Sequence, residues 1–471
     1  VNRILFIFLV CAFNGMLGQE MSLKKGAVVN DLKINDSIQE SFSLYLPTNF
    51  DKDKMWPVIF VFDPMGRGRN TAHLFLPGAE QQGYIVASSN NISFKDSLSA
   101  NVDVALRLMN KTFNYFPIDN NRVYTAGYKE GAVVASAIPA IYPNIQGVLA
   151  VDDFWSTQNY LGKDSNFSVV ALIGEKDANI YKLQQVQYFL NKSGHTASLY
   201  SYNSNNEWPG AEMISQALAE FSLQSMSKGL KHINNELIND LYNQDVEISE
   251  RLRRSLQPYK AYQYLEKMEM KYALFDKKDD IRNLQKEIKK EHLFKEQRRE
   301  YNRAKIKESQ LKEEYIYYFE EDVYTVNFEN IAWWKNQVKE LEEMQKSKVE
   351  AQSEMAYRIQ GFLQVMSSEN FSKIKQERAG IDRKIYSAVL QTVFKKDDPE
   401  AYLYIISQSA NDGDYYTALL YLEDLLKTGY KDLEELYNIP NTLDLKLSPE
   451  YNTLIKKYTG TSKYYNIGVE E

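Results

Sequence analysis

The chain has one cysteine and four histidines in 471 residues. A single cysteine, Cys11, excludes an intramolecular disulfide framework and cysteine-based zinc sites. The four histidines, His73, His195, His232 and His292, leave few candidates for general-base chemistry. An excess of basic charge is missing too: 56 Lys and Arg face 63 Asp and Glu, a net charge of −7. Nucleic acid is therefore not expected as the main partner, because neutralising phosphates needs a basic face. The apolar stretch at residues 4–13 is too short to cross a bilayer.

A hydrophobic content of 44% beside 25% charged residues places the chain among globular proteins. Its length implies two or three domains. Residues 1–18 have the pattern of a secretory signal: Arg3, the apolar stretch 4–13, then small Gly18 before the chain turns polar at Gln19. Met16 makes the cleavage position imperfect. Cys11 is a poor lipidation site, because Phe8-Leu9-Val10 lacks the small residues that precede a lipidated cysteine. Export is the expectation, to the periplasm, the outer-membrane surface or the medium. Removal of residues 1–18 would leave a chain without cysteine.

From residue 24 to about 228, short β-rich runs alternate with helical stretches. The runs lie at 41–47, 57–62, 84–88, 122–126, 147–151, 168–173 and 197–201. Val58-Ile59-Phe60-Val61-Phe62 and Val169-Val170-Ala171-Leu172-Ile173 are continuously apolar, as strands buried on both faces of a parallel sheet must be. The alternation predicts a doubly wound α/β domain over 19–228. Strand signals then fade. Residues 229–395 read as a charged α-helical region, with interleaved signs over 276–316 that suit a solvated helix or helical hairpin. Trp333-Trp334 reads as core packing. In 396–471, Asp398 and Pro399 start a helix, Asn411-Asp412-Gly413-Asp414 makes a turn, and Ala418, Leu419, Leu422, Leu425 and Leu426 share one face of the next helix. Gly429 closes it. This hairpin resembles a tetratricopeptide-like repeat, and residues 433–457 resemble the capping end of such an array.

One turn carries the functional question. Gly127-Tyr128-Lys129-Glu130-Gly131 follows the run 122–126 and precedes an Ala-rich stretch at 132–140. This strand–turn–helix context is where G-x-S-x-G places the nucleophile of an α/β-hydrolase. The centre here is Lys129, and a lysine cannot run the serine mechanism. Gly174-Glu175-Lys176-Asp177 follows the run 168–173, where the acid of a Ser–Asp–His series falls; Asp177 is the candidate, with a turn or helix-cap role as its plain alternative. Phe62-Asp63-Pro64-Met65-Gly66-Arg67-Gly68 follows a buried strand and can turn backbone N–H groups toward an oxyanion. It lacks the Gly-Lys-Ser/Thr of a phosphate loop.

On these residues, together with Trp208-Pro209, the segment 40–228 resembles secreted α/β-hydrolases of the dienelactone hydrolase, feruloyl esterase and polyhydroxybutyrate depolymerase-like group. The resemblance implies an α/β-hydrolase-like fold and, position by position, Lys129 for the nucleophile, Asp177 for the acid and Asn206 for the histidine. Asn206 takes that place because many such esterases carry His-x-Trp-Pro there. Met65, Gly66 and Glu130 correspond to the oxyanion loop. Two of the three catalytic residue types are wrong. Acidic Glu130 and Asp177 would keep the Lys129 amine charged rather than nucleophilic, so an ion pair between Lys129 and Asp177 is expected in the old pocket. The sequence thus predicts an exported, non-catalytic α/β-hydrolase-fold protein with no cofactor or metal. Its helical region would bind a protein partner in the bacterial cell envelope. The alternatives are an esterase with a non-standard site and a carbohydrate-handling protein that uses its 34 Tyr and 5 Trp.

Overall fold

A computed structural model describes residues 24–35, 37–155, 157, 167–203 and 207–464. The expected signal peptide at 1–18 and Asn206 lie outside the described residues. Eight strands form one sheet: β1 (Val28–Lys33), β2 (Ser41–Tyr45), β3 (Trp56–Phe62), β4 (Ile85–Ser89), β5 (Ile118–Tyr128), β6 (Ile145–Val151), β7 (Ser168–Gly174) and β8 (Ala197–Tyr202). Their spatial order is β1-β2-β4-β3-β5-β6-β7-β8. β2 is antiparallel to both β1 and β4, and every other pairing is parallel.

All seven residues of β3 are buried. Their alternation sends Val58, Phe60 and Phe62 to one face, and Ile59 and Val61 to the other. Each face is covered by helices, which is why the strand has no polar side. The first face packs α2 (Leu98–Tyr115), α3 (Glu130–Ala137) and α4 (Ile180–Lys192) through Leu108, Val134 and Leu190. The second packs α1 (Gly68–Gln82) and α5 (Ala211–Ser227) through Phe75, Leu218 and Phe221. The result is the doubly wound, mostly parallel sheet of an α/β-hydrolase-like fold.

The compact unit built on this sheet contains the described residues up to Gly174, with Ile180–Ile248 and Tyr264–Arg282. Its later segments come from α6 (Asn235–Arg254), α7 (Pro258–Lys271) and α8 (Lys278–Lys290). The buried Asp245 carboxylate of α6 ties α6 to α7. It accepts from Tyr264 Oη at 2.7 Å, Lys271 Nζ at 2.8 Å and Tyr272 Oη at 2.7 Å. A buried charge is tolerable only with such complete pairing.

The second unit contains Glu175–Asn179, Ser249–Gln263 and the described residues from Asn283 onward. It is helical: α9 (His292–Thr325), α10 (Ile331–Gln345), α11 (Glu350–Gln376), α12 (Ile381–Phe394), α13 (Pro399–Asn411), α14 (Tyr415–Lys427), then three shorter helices ending at Thr459. From α10 to α14 each helix packs on the next, and α9 packs on α11. Trp334 is fully buried among Tyr315, Phe319 and Phe394, and its indole donates to buried Asp322 at 2.8 Å. Asp398 accepts from Glu400 N, and Asp414 from Thr417 N, capping α13 and α14. Among the described residues no helix is long and apolar enough to cross a membrane.

Candidate functional site at the carboxyl edge of the sheet

Ligands of open α/β sheets bind beyond the carboxyl ends of the parallel strands. In the sheet unit these ends carry Asp63 after β3, Lys129 after β5, Asp152 after β6 and Tyr202 closing β8.

The elbow is built by contact, not by composition alone. A Cβ on Gly127 would lie 2.0 Å from the Gly131 carbonyl oxygen, and one on Gly131 would lie 2.1 Å from that of Phe62. Only glycine fits either position. Between them Lys129 sits at φ 48°, ψ −119°. That conformation costs a non-glycine residue about 1–3 kcal/mol. Surrounding bonds hold it: Lys129 N donates to Val151 O at 2.9 Å, and Lys129 O accepts from Ala132 N at 2.8 Å and Val133 N at 3.1 Å. The side chain is thereby lifted out of the strand at the start of α3.

The Lys129 ammonium lies 5.3 Å from the ring centroid of Tyr128. Among the described residues of its own unit it forms no ion pair. Asp177 lies in the segment that groups with the helical unit. Its Oδ1 accepts the Asn179 N–H at 2.8 Å, the turn-forming role that aspartate takes ahead of a helix. The carboxylate next to Lys129 in register is Asp152 instead, since Tyr128 pairs with Val151. Asp152 is buried and has a positive φ of 64°. It accepts from Gly174 N at 3.2 Å and from Tyr202 Oη at 3.2 Å.

The loop after β3 is organised around a carboxylate. Asp63 is fully buried. Its Oδ1 accepts from Met65 N at 2.8 Å, its Oδ2 accepts from Arg67 Nη2 at 2.9 Å, and Arg67 Nε reaches both oxygens at 3.2 Å. Trp208 Nε1 donates to the same Oδ2 at 2.7 Å. Gly66 N donates to the Asp63 carbonyl at 2.9 Å. The amides of Met65 and Gly66, expected to face an oxyanion, are therefore both turned inward onto Asp63. An oxyanion hole needs donors left open for the developing charge. Of the expected donors only Glu130 remains, at the start of α3, where first-turn amides have no intrahelical acceptor. The bond to Asp63 holds the Arg67 guanidinium above its ordinary pKa, against the opposing effect of burial. The Trp208 ring stands edge-on to Phe75 at 5.7 Å and leans on Tyr128 at 5.6 Å. The Trp-Pro segment is thus tied to both the loop and the elbow.

No histidine among the described residues serves the elbow. His195 precedes β8, at the opposite end of that strand, with Nδ1 3.2 Å from Phe167 O and its ring on Phe167. His73, His232 and His292 are exposed. Asn206, the position carried over for the base, lies outside the described residues.

Sequence reasoning missed Asp63, Asp152 and Tyr202. The signal for Asp63 was its i,i+4 spacing to Arg67, and for Asp152 the Val151-Asp152-Asp153 step from apolar strand to acid. In the helical unit, carboxylate oxygens of Glu175, Glu350 and Glu354 lie within 4.8 Å of one another. The Lys260 ammonium fills their centre at 2.8, 3.1 and 2.9 Å, so a lysine stands where a metal ion would.

No family model and no curated protein matches the chain. Among solved structures, Est1E from Butyrivibrio proteoclasticus is 12% identical at a TM-score of 0.35, and the match spans 42% of this chain and 99% of that one. The S-formylglutathione hydrolase FrmB from Staphylococcus aureus is 10% identical at 0.35, over 42% and 98%. A ferulic acid esterase is 11% identical at 0.34, over 42% and 97%. The fold is defined by the strand order and the elbow, not by these likenesses, and what those enzymes hydrolyse is a property of theirs.

Proposed function

We propose that this is an exported α/β-hydrolase-fold protein that has lost ester hydrolysis and acts as a binding or scaffold component of the bacterial cell envelope. One observation carries the proposal. The elbow keeps its strained geometry around Lys129, while the amides of Met65 and Gly66 are closed onto Asp63. A nucleophile and its oxyanion donors have to coexist for acyl transfer; a lysine at the nucleophile position and two expected donors closed onto Asp63, with the Glu130 amide alone remaining, favour loss of that reaction. The helical unit, read as tetratricopeptide-like hairpins, would supply the protein-binding surface.

The maintained strain at Lys129 favours a second reading, an esterase with a non-standard site, because strain persists where a conformation is useful. Assays with p-nitrophenyl acetate and butyrate separate the two. The scaffold reading expects no turnover above background from the wild type. Turnover that disappears in Lys129→Ala would establish the esterase. A pull-down from envelope extract, with the full chain as bait, tests the binding role: a specifically retained envelope protein is expected, and repeated failure to retain any would remove the reading's support.

A further inference from the structure

The long helix α9 has a charge order that its own stability does not explain. Its first part, 292–312, carries seven basic and three acidic residues, a net charge of +4. Its second part, 313–325, carries five acidic residues and no basic one. A helix is stabilised by acids at its N-terminus and bases at its C-terminus. Here the first turn has no acid and the last turn no base. The order therefore runs against the macrodipole.

Two of these charges serve the unit itself, Glu308 pairing with Arg358 and buried Asp322 accepting from Trp334; six others lie on the outside. Arg298, Arg299 and Arg303 are exposed, as are Glu313, Glu314 and Glu320. Among the described residues none of the six takes part in an ion pair. Apolar side chains are exposed between and beyond them: Ile306 at 60%, Tyr317 at 62% and Tyr324 at 82%. The inner side of the same helix packs Tyr315, Phe319 and Val323 into the unit's core. The outer side is thus a basic stretch, then an acidic and aromatic one, on a single rigid element.

We infer that α9 is a homodimer interface, in which two copies of this chain pair their outer faces antiparallel. Only the antiparallel arrangement lays the basic part of each helix along the acidic part of the other. Pairing about the helix midpoint brings residue 303 of one copy across from residue 314 of the other, an Arg–Glu match made twice by the two-fold axis. Such an isologous contact closes on itself. It also places arginines where they can meet tyrosine faces, a contact that favours Arg. A helix of this length extends about 51 Å at 1.5 Å per residue. A strip about 12 Å wide buries roughly 600 Å² per copy, about 1,200 Å² in all, the lower edge of the range for specific complexes. The dimer is therefore of moderate affinity and strongly dependent on salt. This inference does not rest on the loss of hydrolase activity.

The test is sedimentation velocity of the purified full chain across a concentration series, in low and high salt. The expected result is a monomer–dimer equilibrium whose Kd rises by at least about tenfold on adding 0.5 M salt. Two charge-reversed variants follow, with folding checked by circular dichroism. One is E313K/E314K/E320K, which makes both parts of the helix net basic. The other is R298E/R299E/R303E, which makes it acidic. Each alone is expected to stay monomeric, and an equimolar mixture is expected to form a heterodimer. A wild type that stays monomeric at low salt would overturn the inference, pointing instead to a separate basic partner for the acidic end. So would a dimer that survives both reversals, or a folded mixture that fails to associate.

Discussion

Replacing Asp63 by alanine removes the common acceptor of three donors from different parts of the sheet unit. Met65 N and Trp208 Nε1 lose their partners at 2.8 and 2.7 Å. Both donors are partly buried, and each left without its acceptor costs at most about 1–3 kcal/mol,. Arg67 also loses its carboxylate, but its side chain is 41% exposed and returns to water, so its share is under about 1 kcal/mol,. The sum is about 2–7 kcal/mol, a large part of the about 5–15 kcal/mol that holds a folded domain. Urea denaturation followed by circular dichroism measures the global loss. Hydrogen exchange at single amides locates it. The Met65 amide should exchange roughly 5- to 150-fold faster in Asp63→Ala, since each 1.4 kcal/mol is about tenfold. The Gly66 amide donates to the Asp63 backbone carbonyl and should change far less. Equal exchange at Met65 in wild type and variant, or a global loss below about 0.5 kcal/mol, would refute the placement of Asp63 at the centre of the loop.

Two further perturbations follow from the geometry. Gly131→Ala puts a methyl 2.1 Å from the Phe62 carbonyl and should cost more than about 3 kcal/mol by thermal or urea melts; Gly210→Ala, with open space around it, should change stability by less than about 0.5 kcal/mol. In the helical unit, burial raises the Glu354 carboxyl from its ordinary 4.5 to about 7; Lys260 opposes this, and Glu175 and Glu350 add to it. For Lys260 burial works against the charge, but the coulombic attraction of Glu175 and Glu354 outweighs it and raises its pKa. Because the folded pKa of Glu354 exceeds the unfolded one, its protonated form stabilises the fold below about pH 4.5, and this stability is lost as pH rises through about 7,. Glu354→Gln should flatten the stability profile of the helical unit between those values, and an unchanged slope would contradict the assignment.

Much of the fold was legible because burial on two faces leaves a simple trace. The runs at 57–62 and 168–173 are continuously apolar and became β3 and β7, buried along their whole length. β1 was missed because Val28–Lys33 is a polar edge strand, with one neighbour and no apolar run to mark it. The elbow was legible for a steric reason: Gly127 and Gly131 have no space for a Cβ. Partner choice across the edge was not. The Phe62–Gly68 loop was read for its glycines as an open oxyanion loop. Asp63 organises it through Met65 and Arg67 close by and through Trp208 from 145 residues away, a partner no local spacing reveals. Likewise the partners that the Lys129 and Asp177 side chains take inside their own units, the Tyr128 ring and the Asn179 amide, leave no trace in spacing along the chain. Spacing along the chain fixes which residues reach the edge, and side-chain competition among near neighbours decides what they touch there.

We propose that the elbow retains the shape of a hydrolase and not its reaction. The most direct measurement is p-nitrophenyl butyrate hydrolysis by purified wild type beside Lys129→Ala. The account predicts the same background rate for both. Turnover by the wild type that is lost in Lys129→Ala would contradict it.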